Sequence, residues 1–237
     1  MNSPLLLLHG ALGSAGQFDK LIPLLPADWQ IHTFNLPGHG GAPQPSDFSI
    51  PYFAEAVLRF LDKNNIAQTH IFGYSMGGYT ALQLAAKYPE RVQGIVTLGT
   101  KFHWTPEIAS REAALLNAEK IAAKVPVFAE LLATRHAPVD WREVLRRTAG
   151  LLHDLGNGAS LSEDTVRSIL CPVLIGLGSE DHMVTEEESR EMAAQLPNGH
   201  FELLQGVKHP LEQVDPVFLA EWLNANLTGF KIKKRNL

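Results

Sequence analysis

The feature that most narrows what this chain can fold into is an alternation of two patterns. Short, continuously apolar runs are separated by longer stretches with helical periodicity. The runs are Leu5–Leu8, Gln30–Asn35, His70–Tyr74, Val92–Leu98, Val173–Leu177 and His200–Leu204. Most have too few polar positions for a strand with one wet face, so they read as strands buried on both faces. The helical stretches are Gly16–Leu25, Ile50–Asn64, Met76–Lys87, Glu186–Gln195 and Asp215–Ala225. Pro89 and Pro197 follow the third and fourth of these as stop signals. Strand and helix in turn predict an α/β fold, a parallel sheet wrapped by helices. At 237 residues the chain is long enough for one sizeable core.

One interval breaks the rhythm. Thr100 to Leu170 contains several helical segments and no strand pattern. Asp140 with Glu143 has the spacing of a capping box that opens a helix at Trp141. Residues 100–170 are therefore expected to form a helical cap, inserted into a core made of 1–99 and 171–237. Apolar positions such as Leu115, Leu116, Ile121, Leu132, Trp141 and Leu145 should mostly form the cap's own core, with some lining a pocket beneath it.

Charge and cysteine usage remove several function classes. The net charge of −5 argues against a nucleic-acid partner, which would need a basic face. The one basic cluster, Lys231, Lys233, Lys234 and Arg235, reads as a solvated terminus. Leu5–Leu8 is too short for a membrane span or a signal core, so no membrane association and a cytoplasmic location are expected. The single cysteine, Cys171, permits no intrachain disulfide and reads as a small buried hydrophobe.

The chemistry is carried by Gly73-Tyr74-Ser75-Met76-Gly77-Gly78, a G-x-S-x-G motif between an apolar run and a helical one. A chain that reverses from strand to helix over about two residues forces its serine into strained φ/ψ. Glycines on either side let strand and helix approach. The hydroxyl of Ser75 then projects beyond the C-terminal edge of the sheet, and the helix N-terminus offers the Met76 N–H to a developing oxyanion. A second N–H must come from another loop. His9-Gly10-Ala11-Leu12-Gly13 follows the first strand, and Ala11 is the candidate. His9 reads as a structural residue of that loop.

A general base and its orienting acid should lie on the same sheet edge. His209 follows the last strand and precedes the last helix, whereas His200 falls at a strand start, on the opposite edge. Asp181 follows the fifth strand in Gly178-Ser179-Glu180-Asp181, with Glu180 as the alternative acid. The chain order Ser75, Asp181, His209 is that of one class of serine enzymes.

These motifs resemble those of the α/β-hydrolase superfamily over nearly the whole chain. The resemblance rests on the His9-Gly10 loop, the Asn35-Leu36-Pro37-Gly38-His39-Gly40 turn, the elbow at Ser75 and the Asp181/His209 pair. It implies a sheet flanked by helices, with a helical cap in the place of the interval after Leu98. The family commonly begins with an extra N-terminal hairpin, which is not seen here, so a six-stranded, wholly parallel sheet is expected. Asn35 stands where relatives usually have Asp and is read as a turn change without mechanistic consequence. His39 in the same turn is read as structural.

The implied chemistry is acyl transfer. Ser75, activated by His209, attacks the carbonyl of a small or medium carboxylic ester, and water then releases the acyl group. No cofactor or metal is expected, since H-E-x-x-H, Walker A and intact G-x-G-x-x-G patterns are missing from the sequence. Leu12, Tyr74, Phe102 and Trp104 are candidate substrate contacts. Two other functions share these motifs. One is a lyase resembling the menaquinone-pathway enzyme that eliminates pyruvate, although Tyr79 stands where that type carries an arginine after the elbow glycines. The other is a non-catalytic small-ligand receptor.

Overall fold

The computed structural model describes residues 3–234. Six strands, β1 (Ser3–Leu8), β2 (Trp29–Thr33), β3 (Thr69–Tyr74), β4 (Val92–Leu98), β5 (Val173–Glu180) and β6 (Gly199–Lys208), form one sheet in the order β2-β1-β3-β4-β5-β6. Every pairing is parallel. The expectation of burial on both faces holds for the inner strands: every residue of β3 is buried. The runs at Gln30–Asn35 and His200–Leu204 differ. They belong to β2 and β6, the sheet's two edges, and stay partly exposed because each has a neighbour on one side only.

The side-chain alternation of the strands divides the core into two layers. Leu6, Leu8, Ile71, Ile95, Val173 and Ile175 pack on one face, against α1 (Ile50–Lys63), α2 (Met76–Lys87) and the later helix Glu186–Gln195. Leu5, Leu7, Phe72, Val96, Leu98 and Leu174 point to the other face, toward Phe18 and the C-terminal helix. The expected helix at Gly16–Leu25 is instead two 3₁₀ turns, Ala15–Phe18 and Ile22–Leu24. Pro23 and Pro26 lack the N–H that would continue an α-helical ladder there.

Between β4 and β5 the chain forms α3 (Pro106–Ala114), α4 (Ala118–Lys124), α5 (Pro126–His136), α6 (Trp141–Asp154) and α7 (Glu163–Arg167), and no strand among the described residues. The helix at Trp141 begins as expected, with the Asp140 carboxylate accepting from the Arg142 N–H. The second half of the expected capping box does not form, because Glu143 turns its carboxylate to Arg146. Ile121, Leu132, Trp141 and Leu145 make a small core of their own, with Leu12 of the loop after β1 packed against it. Leu115 is exposed rather than part of this core, and so are Val125 and Leu131.

The chain closes with α8 (Glu186–Gln195), opened by a Thr185/Glu188 capping box, and α9 (Pro216–Lys234). Cys171 is half-buried against the core rather than fully buried. Arg235 and the lysine side chains of the basic cluster lie outside the described residues. No helix among the described residues is long and apolar enough to cross a membrane.

Candidate active site

Strand order determines where the loops meet. In the order β2-β1-β3 the connections leave β1 and β3 in opposite directions, and the crevice opens beyond the C-terminal ends of those two strands. Leu8 pairs with Gly73 in register. Three residues on along each chain are Ala11 and Met76, so the two candidate oxyanion donors come from adjacent, registered strand ends. Ser75, directly before Met76, has φ 51°, ψ −118°, a positive-φ conformation that a non-glycine residue adopts at a cost. The Ser75 N–H donates to Leu98 O at 2.9 Å, and Thr100 Oγ1 donates to Ser75 O at 2.9 Å. These bonds clamp the strained residue on both sides. As the first residue of α2, Met76 has no acceptor for its N–H within the helix.

Close packing explains the elbow glycines. A Cβ at Gly77 would stand 2.2 Å from Leu8 O, and one at Gly73 would stand 2.4 Å from the Gly78 Cα. Neither space can be made without moving backbone.

The same logic of register brings acid and base together. Glu180 of β5 pairs with Lys208 of β6, so Asp181 and His209 are the next residue on each strand. The His209 Nδ1 lies 2.7 Å from Asp181 Oδ2. The other carboxylate oxygen, Oδ1, accepts from the Met183 and Val184 N–H groups at 2.8 and 3.0 Å. With every direction occupied, the Asp181 side chain is 1% exposed. Glu180, the alternative acid, is exposed at the strand end, and His200 is exposed at the start of β6. Tyr74 donates its hydroxyl to His209 O at 2.8 Å, which fixes the loop that carries the histidine.

Ser75 and His209 line one cavity of about 240 Å³, together with Ala11, Leu12, Tyr74, Met76 and Trp104. Its roof comes from Leu115 and Leu116, just after α3, and from Leu151 of α6. Phe102, a candidate contact, is a correction. Its ring is buried in the core and stacked on Tyr79 at 6.2 Å, whereas its neighbours Lys101 and Trp104 line the cavity.

Three histidines pack behind the oxyanion loop. The His9 ring lies 5.2 Å from that of His39, which lies 5.9 Å from that of His136. His9 accepts from the Leu36 N–H at 3.0 Å, which leaves its Nδ1 proton for Gly10 O at 2.8 Å. Burial lowers its pKa to about 4, and it lowers that of His136 to about 4 as well. Burial also holds His39 well below the ordinary histidine value. All three are neutral at pH 7. Asn35 serves this region in a way an aspartate could not. Its Oδ1 accepts from the Ala15 N–H at 2.8 Å, and its Nδ2 donates to Gly40 O at 2.8 Å.

Several site residues lie outside the sequence motifs. Gly99 is one: a Cβ there would stand 3.1 Å from Asp181 Oδ2 and 3.2 Å from His209 Nδ1. A glycine directly after a predicted strand was the available clue. Lys101 and Glu112 also line the cavity. Lys101 is neutralised by Glu188 at 3.3 Å.

A family model described as the alpha/beta hydrolase fold matches residues 3–141. The chain belongs to the α/β-hydrolase family. Over nearly its whole length this α/β-hydrolase is 30% identical to the "Putative carbamate hydrolase RutD" of Pseudomonas syringae pv. syringae, covering 96% of this chain and 95% of that protein. Two other matches are local. A pimeloyl-[acyl-carrier protein] methyl ester esterase of Neisseria meningitidis is 40% identical over 89 residues, which cover 38% of this chain and 33% of the relative. A serine hydrolase-like protein of Danio rerio is 37% identical over 100 residues, 41% of this chain and 31% of the relative. The chain thus spans about a third of the length of these two. Among solved structures, an esterase from Thermogutta terrifontis superposes with a TM-score of 0.76 at 20% identity, covering 96% of this chain and 90% of that one, which is a likeness of fold.

Proposed function

We propose that this α/β-hydrolase cleaves carboxylic esters of small or medium size through an acyl-enzyme on Ser75. The observation that carries the reading is the 2.7 Å contact of His209 with the buried Asp181 at the wall of the cavity that Ser75 lines. Asp181 holds the imidazole with its proton on Nδ1, leaving Nε2 to take the proton of Ser75 as Oγ adds to the carbonyl carbon. The N–H groups of Ala11 and Met76 receive the oxyanion, and each such donor is typically worth about 3–4 kcal/mol in the transition state. His209 then gives its proton to the leaving alcohol, and a water activated the same way releases the acid. The apolar roof of Leu115, Leu116 and Leu151, as a cap over residues 100–170, accommodates a hydrocarbon acyl chain and sheds water from it.

The full-length likeness to RutD favours a second substrate, a carbamate, whose carbonyl would be attacked identically. The lyase reading has less support. Tyr79 is buried with its hydroxyl accepting from the Leu161 N–H, and it brings no cation to the cavity.

The test is turnover of p-nitrophenyl esters from acetate to octanoate beside a p-nitrophenyl carbamate, with wild type and Ser75→Ala. Wild type should hydrolyse the shorter esters and be labelled by a fluorophosphonate, and Ser75→Ala should do neither. Ester turnover that survives in Ser75→Ala would sink the proposal, and turnover of the carbamate alone would replace ester by carbamate.

A further inference from the structure

The most strained residue of the oxyanion loop is held from outside the sheet. Leu12 has φ 58°, and its carbonyl accepts from Arg135 Nη1 at 2.9 Å. The same carbonyl lies 3.2 Å from His136 Nε2. The ring's other nitrogen, Nδ1, accepts from the Gly40 N–H at 3.0 Å, so the proton is on Nε2 and His136 donates to Leu12. A non-glycine residue keeps a positive φ only where its surroundings over-determine it, and two donors on one carbonyl do so here. Both donors stand at the C-terminal end of α5, in the inserted helices.

Arg135 has a second arm. Its Nη2 donates to Glu212 Oε1 at 2.8 Å, three residues after His209. Gln17 Nε2 donates to the same oxygen at 2.9 Å. The Arg135 side chain is only 12% exposed. One planar guanidinium therefore spans from the loop that carries Ala11 to the loop that carries His209, with Ser75 between them. A lysine ammonium could not serve both acceptors in this fixed fork geometry.

We infer that Arg135, seconded by His136, is a positioning residue. It sets the Ala11 N–H relative to His209, so the oxyanion site is complete only while α5 is docked on the core. Loosening the clamp would let the Ala11 N–H drift from the place where negative charge develops. An interaction lost only in the transition state lowers kcat and leaves KM alone. The kinetic part of this inference rests on the ester-cleaving reading, whereas the loop-holding part does not.

The experiment compares wild type, Arg135→Lys, Arg135→Met, Glu212→Gln and the double variant Arg135→Met/Glu212→Gln in the full chain. Three quantities are read: kcat and KM for p-nitrophenyl butyrate, Ki for an alkyl trifluoromethyl ketone, and hydrogen–deuterium exchange of segment 9–14. In the ketone complex Ser75 Oγ adds to the carbonyl carbon, His209 takes the proton, and the hemiketal oxyanion occupies the proposed hole. Arg135→Met should lower kcat about tenfold or more with KM within about twofold, and Ki should rise in parallel. Exchange in 9–14 should quicken while α2 keeps its protection. Arg135→Lys should recover little. Glu212→Gln should lose less, and should add nothing to Arg135→Met, because both act through one clamp. Wild-type kcat together with wild-type exchange in Arg135→Met would overturn the inference. So would a quickening of exchange spread over the whole chain, which would make Arg135 a general stability residue. If wild type cleaves no ester at all, the reading of the reaction fails, and exchange in 9–14 alone decides the clamp.

Discussion

Lowering the pH from 7 to 5 should destabilise this fold before its carboxylates begin to titrate, through the histidines behind the oxyanion loop. The pKa of His9 and of His136 is lowered from 6.5 to about 4, mainly by burial, with the charge of Arg135 adding to it in both. In the unfolded chain both recover the ordinary value. Between about pH 4 and 6.5 the unfolded state therefore binds more protons than the folded one, and stability rises with pH across that window. Read downward, stability is lost as pH falls through 6.5, and the loss levels off below about 4, where both states are protonated. From pH 7 to 5 each of the two histidines contributes about 2 kcal/mol of that loss. The pair is then worth about 4 kcal/mol, a large part of the 5–15 kcal/mol that a domain of this kind holds in reserve. His39, whose pKa is lowered in the same sense, steepens the fall. Glu143 and Glu55 are held below their ordinary 4.5 by Arg146 and Lys87, so their contribution disappears only at still lower pH. Urea unfolding followed by circular dichroism at pH 7, 6 and 5 measures the effect. His136→Gln keeps a donor and an acceptor without titrating, and should reduce the loss between pH 7 and 5 by about 2 kcal/mol whatever it does to stability at pH 7. A wild-type stability that is flat between pH 7 and 5 would contradict this account, as would an unchanged pH dependence in the variant.

Three substitutions test the site at other points. Asp181→Asn should leave the fold intact and reduce ester turnover about 10⁴-fold, because an amide favours the wrong imidazole tautomer; turnover within tenfold of wild type would remove Asp181 from the mechanism. Gly99→Ala puts a Cβ near 3.1 Å from Asp181 Oδ2 at φ 62°. It should cost about 1–2 kcal/mol of stability, and a larger share of activity, read as kcat beside the thermal midpoint. Asn35→Asp removes the donor to Gly40 O and sets a carboxylate against that carbonyl. A loss of about 1–3 kcal/mol at pH 7 is expected in denaturant titration, and a neutral result would return Asn35 to the status of an ordinary turn residue.

Parts of this protein are legible in its sequence because they depend on local rules. Continuous apolar runs between helical patterns imply inner strands buried on both faces, and β3, β4 and β5 have that burial. The glycines around Ser75 announce a strand-to-helix reversal, since a Cβ at Gly73 or Gly77 would stand 2.4 Å or less from neighbouring backbone atoms. The periodicity over Gly16–Leu25 misleads, because it says nothing of the missing N–H groups at Pro23 and Pro26. Phe102 departs from expectation for a different reason: its ring joins the core and stacks on Tyr79, a packing contact between segments that sequence position does not reveal.

Residue type and near neighbours along the chain were enough to specify the sheet-and-helix class, the elbow and the identities of the candidate acid and base. How those pieces meet depended on packing between distant segments. Register between β5 and β6 set Asp181 beside His209, and register between β1 and β3 paired Leu8 with Gly73, the strand ends from which Ala11 and Met76 follow. The clamp from Arg135 to Leu12 and Glu212 crosses 123 and 77 residues of chain. Contacts of that separation depend on how the inserted helices pack against the core, and no pattern along the chain encodes it locally.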